Sequence, residues 1–128
     1  MQRKQIATSN APSAIGPYSQ AIQIGNLLYT SGQIPINPKT GLVIEGGIEI
    51  QTKQVFQNLE AILKEANSSF EQVVKVTVFV KNMNDFAKIN EIYATYFTQP
   101  YPARSCIEVS RLPKDVLVEI EIISLITE

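Results

Sequence analysis

Arg104 and Cys106 stand two residues apart in the stretch "YPARSCIEVSRLPKD", residues 101–115, in a chain that has one cysteine and no histidine. A guanidinium is a planar fork that can give two parallel hydrogen bonds to a carboxylate, a geometry lysine does not reproduce. A thiol acts as a nucleophile only once it is a thiolate, which needs a neighbouring base or a strong positive field. With no imidazole in the sequence and with Glu108, Glu119 and Glu121 near in sequence, Cys106 lacks the usual means of activation. A lone cysteine in a strand is more often a small packed hydrophobe, and an arginine beside glutamates is more often a structural ion pair. The residues by themselves therefore do not point to covalent catalysis at Cys106.

The elements that must position these residues follow from periodicity. Apolar Val55, Leu59, Ile62, Leu63 and Ala66 recur at spacings of three and four, which predicts a helix over 49–67. "VVKVTVFVK", residues 73–81, alternates as a strand with Val74, Val76, Val78 and Val80 on one face. Asn84 is the expected N-cap of a second helix, 85–97, with Phe86, Ile89, Tyr93 and Phe97 turned inward and Asn90 in the same row. Gly25-Asn26 predicts a hairpin between "SQAIQIG" and "NLLYTSG", and "INPKTG", residues 36–41, a second turn leading into "LVIEGG".

"ARSCIEVSR" and "VLVEIEIISL" flank "LPKD" and read as two strands joined by a tight turn. Pairing them about Pro113-Lys114 sets Cys106 opposite Glu121 and Glu108 opposite Glu119. Arg104, Cys106, Glu108, Glu119 and Glu121 would then share the face away from the helices. Opposed glutamates repel, so a ligand or a neighbouring chain is expected over this surface. The order β-β-β-β-α-β-α-β-β makes the fold class α+β: a single mixed sheet with two helices packed on one face. At 128 residues, with no linker or low-complexity tract, residues 1–128 are expected to form one domain.

Eleven basic against twelve acidic residues give a net charge of −1, so the attraction that dominates binding to phosphate backbones is missing and nucleic acid is not an expected partner. A single cysteine without histidine builds neither an internal disulfide nor a nitrogen- or sulfur-ligated zinc site. No metal and no cofactor are expected. "MQRKQIATSNAPSAIGPYSQ" places no apolar run behind its two early cations, and no segment is long and apolar enough to span a membrane, so a cytoplasmic protein with no membrane partner is expected. Taken alone, Tyr18, Ser31, Gly32 and Asn90 read as hydrogen-bonded or strand-ending structural residues.

Three stretches together carry more than their parts. "AIGPYSQAI", "YTSGQIPINPKTG" and above all "PARSCIEVSRLPKDVLVEIEIISL" resemble the Rid family of reactive-intermediate deaminases, also called YjgF-type, in its RidA branch, over almost the whole chain from about Ile6. The resemblance implies a chorismate-mutase-like fold assembled as a homotrimer around a barrel-like centre, with ligand clefts at the subunit interfaces. It implies hydrolysis of 2-imino acids such as 2-iminobutanoate and 2-iminopropanoate to 2-oxo acids and ammonia, the imines being released by pyridoxal-phosphate-dependent dehydratases. Arg104 matches the arginine that binds the substrate carboxylate and Glu119 the glutamate associated with the hydrolytic water. Tyr18, Ser31, Gly32, Asn90 and Cys106 match positions that line the cleft. Two other classes remain open on the sequence: a non-catalytic regulatory module that binds small carboxylates, and an endoribonuclease or translation inhibitor.

Overall fold

The computed structural model describes residues 2–127. Its elements are β1 (Lys4–Ile6), β2 (Ala21–Ile24), β3 (Leu27–Thr30), β4 (Ile36–Asn37), β5 (Leu42–Val43), α1 (Ile48–Glu65), β6 (Val73–Val80), α2 (Phe86–Tyr96), β7 (Ala103–Glu108) and β8 (Val118–Leu125). Six strands form a mixed sheet in the order β1-β2-β3-β8-β6-β7, and β4 and β5 form a separate two-stranded ribbon. The single sheet expected from the sequence is thus one large sheet plus this ribbon, and β1 is a strand the sequence reading did not find. None of the described helices is long and apolar enough to cross a membrane.

Helix α1 forms where the three-four spacing predicts it. Glu49 in its first turn and Lys64 in its last complement the backbone dipole. It stops at Asn67, whose φ of 59° is left-handed. There the Ser68 N–H donates to the Leu63 carbonyl at 2.8 Å and the Asn67 N–H to that of Lys64 at 3.1 Å, a Schellman closure with asparagine in the position glycine usually holds. The turn between β2 and β3 uses Gly25, with φ 59°, and gives the expected antiparallel pair, Ala21 opposite Thr30 and Ile24 opposite Leu27.

The central decision of the fold lies in β6. It pairs in parallel with β7, Val76 beside Arg104 and Val78 beside Cys106, and antiparallel with β8, Thr77 opposite Glu121 and Phe79 opposite Glu119. The expected β7–β8 hairpin does not exist, because β6 lies between the two strands. A parallel pair needs a long crossover, and α2 supplies it between β6 and β7. The "LPKD" turn instead carries the chain past the end of β6: the Val109 N–H donates to the Val80 carbonyl and the Lys81 N–H to that of Leu117.

Val76, Val78, Val80, Val118, Ile120 and Ile122 are buried on one sheet face, in one core with Val55, Leu59, Ile62 and Leu63 of α1 and Ile89 and Tyr93 of α2. Burial of this kind stabilises by roughly 25 cal/mol per Å² of apolar surface removed from water. Val74 is the exception to the expected alternation. A register shift between Val73 and Lys75 inserts one extra residue in β6, so that Val73 is buried and Val74 is 40 % exposed.

Ile120→Ala should therefore lower the free energy of unfolding by about 2–5 kcal/mol. Val74→Ser, at the bulge, should change it by less than about 0.5 kcal/mol. Urea denaturation checks both, and a large loss at Val74 would contradict the bulged register.

Candidate active site

The parity of the sheet sorts the site residues into two groups. Arg104, Cys106 and Glu108 share registers with Val76, Val78 and Val80 and so lie on the helix side of β7, at the open edge of the sheet. Glu119 and Glu121 share registers with Phe79 and Thr77 and lie on the opposite face. The expected gathering of all five on one face is corrected by the insertion of β6, which uncouples the parity of β7 from a direct pairing with β8.

On the helix side, Arg104 is exposed but held. Its Nη1 donates to Asn90 Oδ1 at 2.7 Å, and its guanidinium carbon lies 4.7 Å from the centre of the Tyr93 ring and 5.1 Å from that of Phe86. Asn90, Tyr93, Ala94, Tyr101, Pro102 and Arg104 line a cavity of about 450 Å³. Tyr93 is buried and its hydroxyl pKa is pushed up, burial outweighing the opposing pull of Arg104. Cys106 Sγ sits 4.0 Å from Met83 Sδ. Burial raises its thiol pKa more than Arg104 lowers it, which disfavours the thiolate that a nucleophile requires. Asn82, not Asn84, caps the helical turn before α2: its side chain accepts the Asn84 N–H at 2.9 Å.

On the other side, Tyr18, Ser31, Gly32 and Glu119 line a second cavity, of about 520 Å³, together with Ile15, Ile34 and Pro113. An isolated bridge between Gln33 and Ile120 lays residues 31–33 beside β8, with the Gln33 N–H on the Ile120 carbonyl at 2.8 Å. Gly32 is thereby set against Glu119 so closely that a Cβ there would stand 2.9 Å from the Glu119 carboxyl carbon and collide with Oε2. Ser31 Oγ donates to the Ser19 carbonyl at 2.6 Å, and Tyr18 Oη accepts the Ile15 N–H at 3.3 Å. The Glu119 carboxyl pKa is raised, first by burial and second by the charge of Glu121 two residues along the same face.

The structure therefore brings Tyr18, Ser31, Gly32 and Glu119 together, and separately Asn90 and Arg104 with Cys106 alongside, but does not join the two groups within one chain. Sequence reasoning missed Gln20 and Lys114 in the Glu119 cavity. Gln20 is buried, and its Nε2 donates to the carbonyls of Thr8, Ala11 and Pro12 while its Oε1 accepts the Thr8 N–H, which shapes the 8–12 wall. Lys114 enters through a turn in which it and Asp115 both take φ 56°, a conformation held by two hydrogen bonds from Arg111 to Asp115, at 2.7 and 3.2 Å. A non-glycine pair with positive φ has no signature in "LPKD". Among the described residues, no three histidine, cysteine, aspartate or glutamate side chains gather as a metal site.

Removing the neighbouring charge with Glu121→Gln should move the Glu119 titration midpoint down towards the ordinary glutamate range while leaving the effect of burial in place. Carboxyl-carbon NMR across the acid range measures it. An unmoved midpoint would show that Glu121 does not act on Glu119.

A family model described as endoribonuclease L-PSP matches residues 8–126. A RutC family protein of Pyrococcus horikoshii is 59% identical over 122 residues, spanning 95% of this chain and 97% of its own. The protein of Escherichia coli K12 named 2-iminobutanoate/2-iminopropanoate deaminase is 52% identical over 124 residues, spanning 94% of this chain and 96% of its own. The crystal structure of a Rid family protein of unknown function from Yersinia pestis superposes with a TM-score of 0.95 at 52% identity, covering 98% of this chain and all of the other. A family match over nearly the whole chain, with relatives above half identity across almost their full length, places this protein in the Rid family, whose model carries the endoribonuclease L-PSP description.

Proposed function

We propose that this protein hydrolyses 2-imino acids, 2-iminobutanoate and 2-iminopropanoate among them, to 2-oxo acids and ammonia. The observation that carries this reading is the Arg104 guanidinium, held by Asn90 and two aromatic rings at the mouth of a cavity, in a chain half identical to a named 2-iminobutanoate/2-iminopropanoate deaminase. Its remaining N–H edge suits a carboxylate.

The chemistry asks for an anchor, a water and a base. A protonated imine is already an electrophile, so water adds to its carbon to form a carbinolamine. Glu119 accepts one proton of the water and passes it to the nitrogen; as the C–N bond breaks, Glu119 takes the proton of the carbinolamine hydroxyl, leaving the 2-oxo acid and ammonia, which carries that proton away as ammonium. A carboxyl whose pKa is raised by burial is a stronger base than an ordinary glutamate, which supports this role for Glu119. Tyr18 and Ser31 line its side of the site, and Cys106 forms a wall beside Arg104.

Within one chain, Arg104 and Glu119 belong to opposite sheet faces and different cavities. We therefore place the working site between two copies, one giving Arg104 and Asn90 and the other Glu119, Gly32, Ser31 and Tyr18, in the homotrimer with a barrel-like centre that the chorismate-mutase-like family fold implies. Support for burial of the uncovered sheet face comes from Tyr29, Ile107 and Leu125, three large apolar side chains exposed on it.

The reading is tested by generating 2-iminobutanoate in place with an amino-acid oxidase and trapping what survives with semicarbazide. The native protein should suppress the trapped product. Arg104→Ala should lower kcat/KM roughly 100-fold or more, since it removes charge-assisted hydrogen bonds, with Arg104→Lys recovering little. Unchanged trapping with native protein would reject the deaminase. In light scattering, a monodisperse monomer would reject the shared site. Gly32→Ala should leave stability nearly unchanged, because the flexible end of Glu119 can swing aside, yet lower kcat roughly 10- to 100-fold by displacing that carboxylate.

A further inference from the structure

We propose that Phe86 and Tyr93 are positioning residues for the anchor: with Asn90 they form a three-sided cage that fixes the Arg104 guanidinium and leaves its Nε/Nη2 edge free for a substrate carboxylate. The proposal rests on the reading of Arg104 as the carboxylate anchor, and its structural half can be measured without any substrate.

The cage is built from the α2 face that packs on β7. Phe86, Asn90 and Tyr93 lie at spacings of four and three, so all three side chains project from one side of α2. The two rings present π faces to the cation at 5.1 and 4.7 Å, within the range in which the ring quadrupole attracts a guanidinium. Asn90 fixes rotation about the remaining axis by accepting from Nη1 at 2.7 Å. Among the described residues, Nε and Nη2 donate to no protein group. In a guanidinium, Nε and Nη2 share one edge and Nη1 stands away from it. The occupied and the open donors are therefore on different sides of the fork, and a carboxylate docking on the open edge meets two parallel N–H groups.

Tyr93 is itself packed in place: its ring lies 4.4 Å from that of Phe97, tilted by 33°, and meets Phe56 edge-on at 6.0 Å. The anchor is thus referred to the aromatic core through Tyr93. A second hold comes from Glu108, whose Oε1 accepts the Met83 N–H at 2.8 Å and ties the entry of α2 to the far end of β7. An arginine on an exposed edge strand would otherwise lose much rotamer freedom on gripping a ligand; the cage removes that cost before the ligand arrives. This assigns Asn90 to the arginine rather than to the substrate.

Two measurements on the native assembly and on Phe86→Leu and Asn90→Leu decide the matter. In NMR relaxation of arginine Nε–H groups, Arg104 of the native protein should be rigid and the exposed Arg3 should be mobile, and Phe86→Leu and Asn90→Leu should loosen Arg104. In the imine assay, Phe86→Leu should raise KM roughly 2- to 30-fold with kcat little changed, the pattern of lost uniform binding; a merely structural defect would lower the active fraction and leave KM alone. A native Arg104 as mobile as Arg3 overturns the cage, and so does a folded Phe86→Leu with native KM and native Arg104 rigidity. Should Phe86→Leu not fold, the native relaxation and Asn90→Leu decide alone. Rigidity lost in the variants of a protein that hydrolyses no imine would uphold the cage and reject the deaminase.

Discussion

The parallel pairing of β6 with β7 is the constraint on which the rest of this structure depends. Parallel neighbours cannot be joined by a tight turn, so the chain must leave the sheet after Val80, cross as α2 and return at Ala103. That crossover sets α2 over the helix side of β7 and brings Asn90 to Arg104. It also leaves the other flank of β6 for β8, whose Val118, Ile120 and Ile122 complete the core. One pairing therefore fixes both the surroundings of the arginine and the face on which Glu119 emerges.

Its consequence is a division of chemical labour across the sheet. The cationic group lies against aromatic rings at an open edge, with donors left free. The carboxylate lies on the opposite face, half-buried against the backbone of Gly32 and beside a second carboxylate, where its proton affinity rises. Had both groups shared one face of one chain, they would have been free to neutralise each other as a structural ion pair. Their separation leaves neither with an ion-pair partner among the described residues, which is the condition under which a charged small molecule or a neighbouring copy has something to bind.

Two short segments carry more of the site than their length suggests. Residues 31–33 continue beyond β3 as a single bridge to Ile120, and the lack of a side chain at Gly32 lets Glu119 lie against the backbone. Gln20 spends its whole amide on the loop at residues 8–12, so the wall facing Glu119 is pinned by one buried side chain. Both are local devices, yet each acts on a residue about 90 or 10 positions away in sequence.

The sequence by itself determined most element types, because hydrophobic period is a local property: the three-four row of α1, the alternation of β6 from Val76 onward, the Gly25 turn and the α+β class are as periodicity implies. It also singled out Arg104, Glu119 and Gly32 as candidate site residues, since they stand in stretches that resemble the Rid family. Strand order was decided only by tertiary structure. Turn residues between two strands fit a hairpin equally well as a loop that passes a third strand, and the choice depends on which arrangement buries β8 on both flanks. The bulge at Val74 and the left-handed Lys114-Asp115 pair followed from that choice, as backbone adjustments to distant packing with no local signature. Phe86 and Tyr93 read as core because an apolar row looks the same whether it faces aliphatic side chains or the flat of a guanidinium. The partner across the row comes from another part of the chain, and periodicity records only that the face is covered.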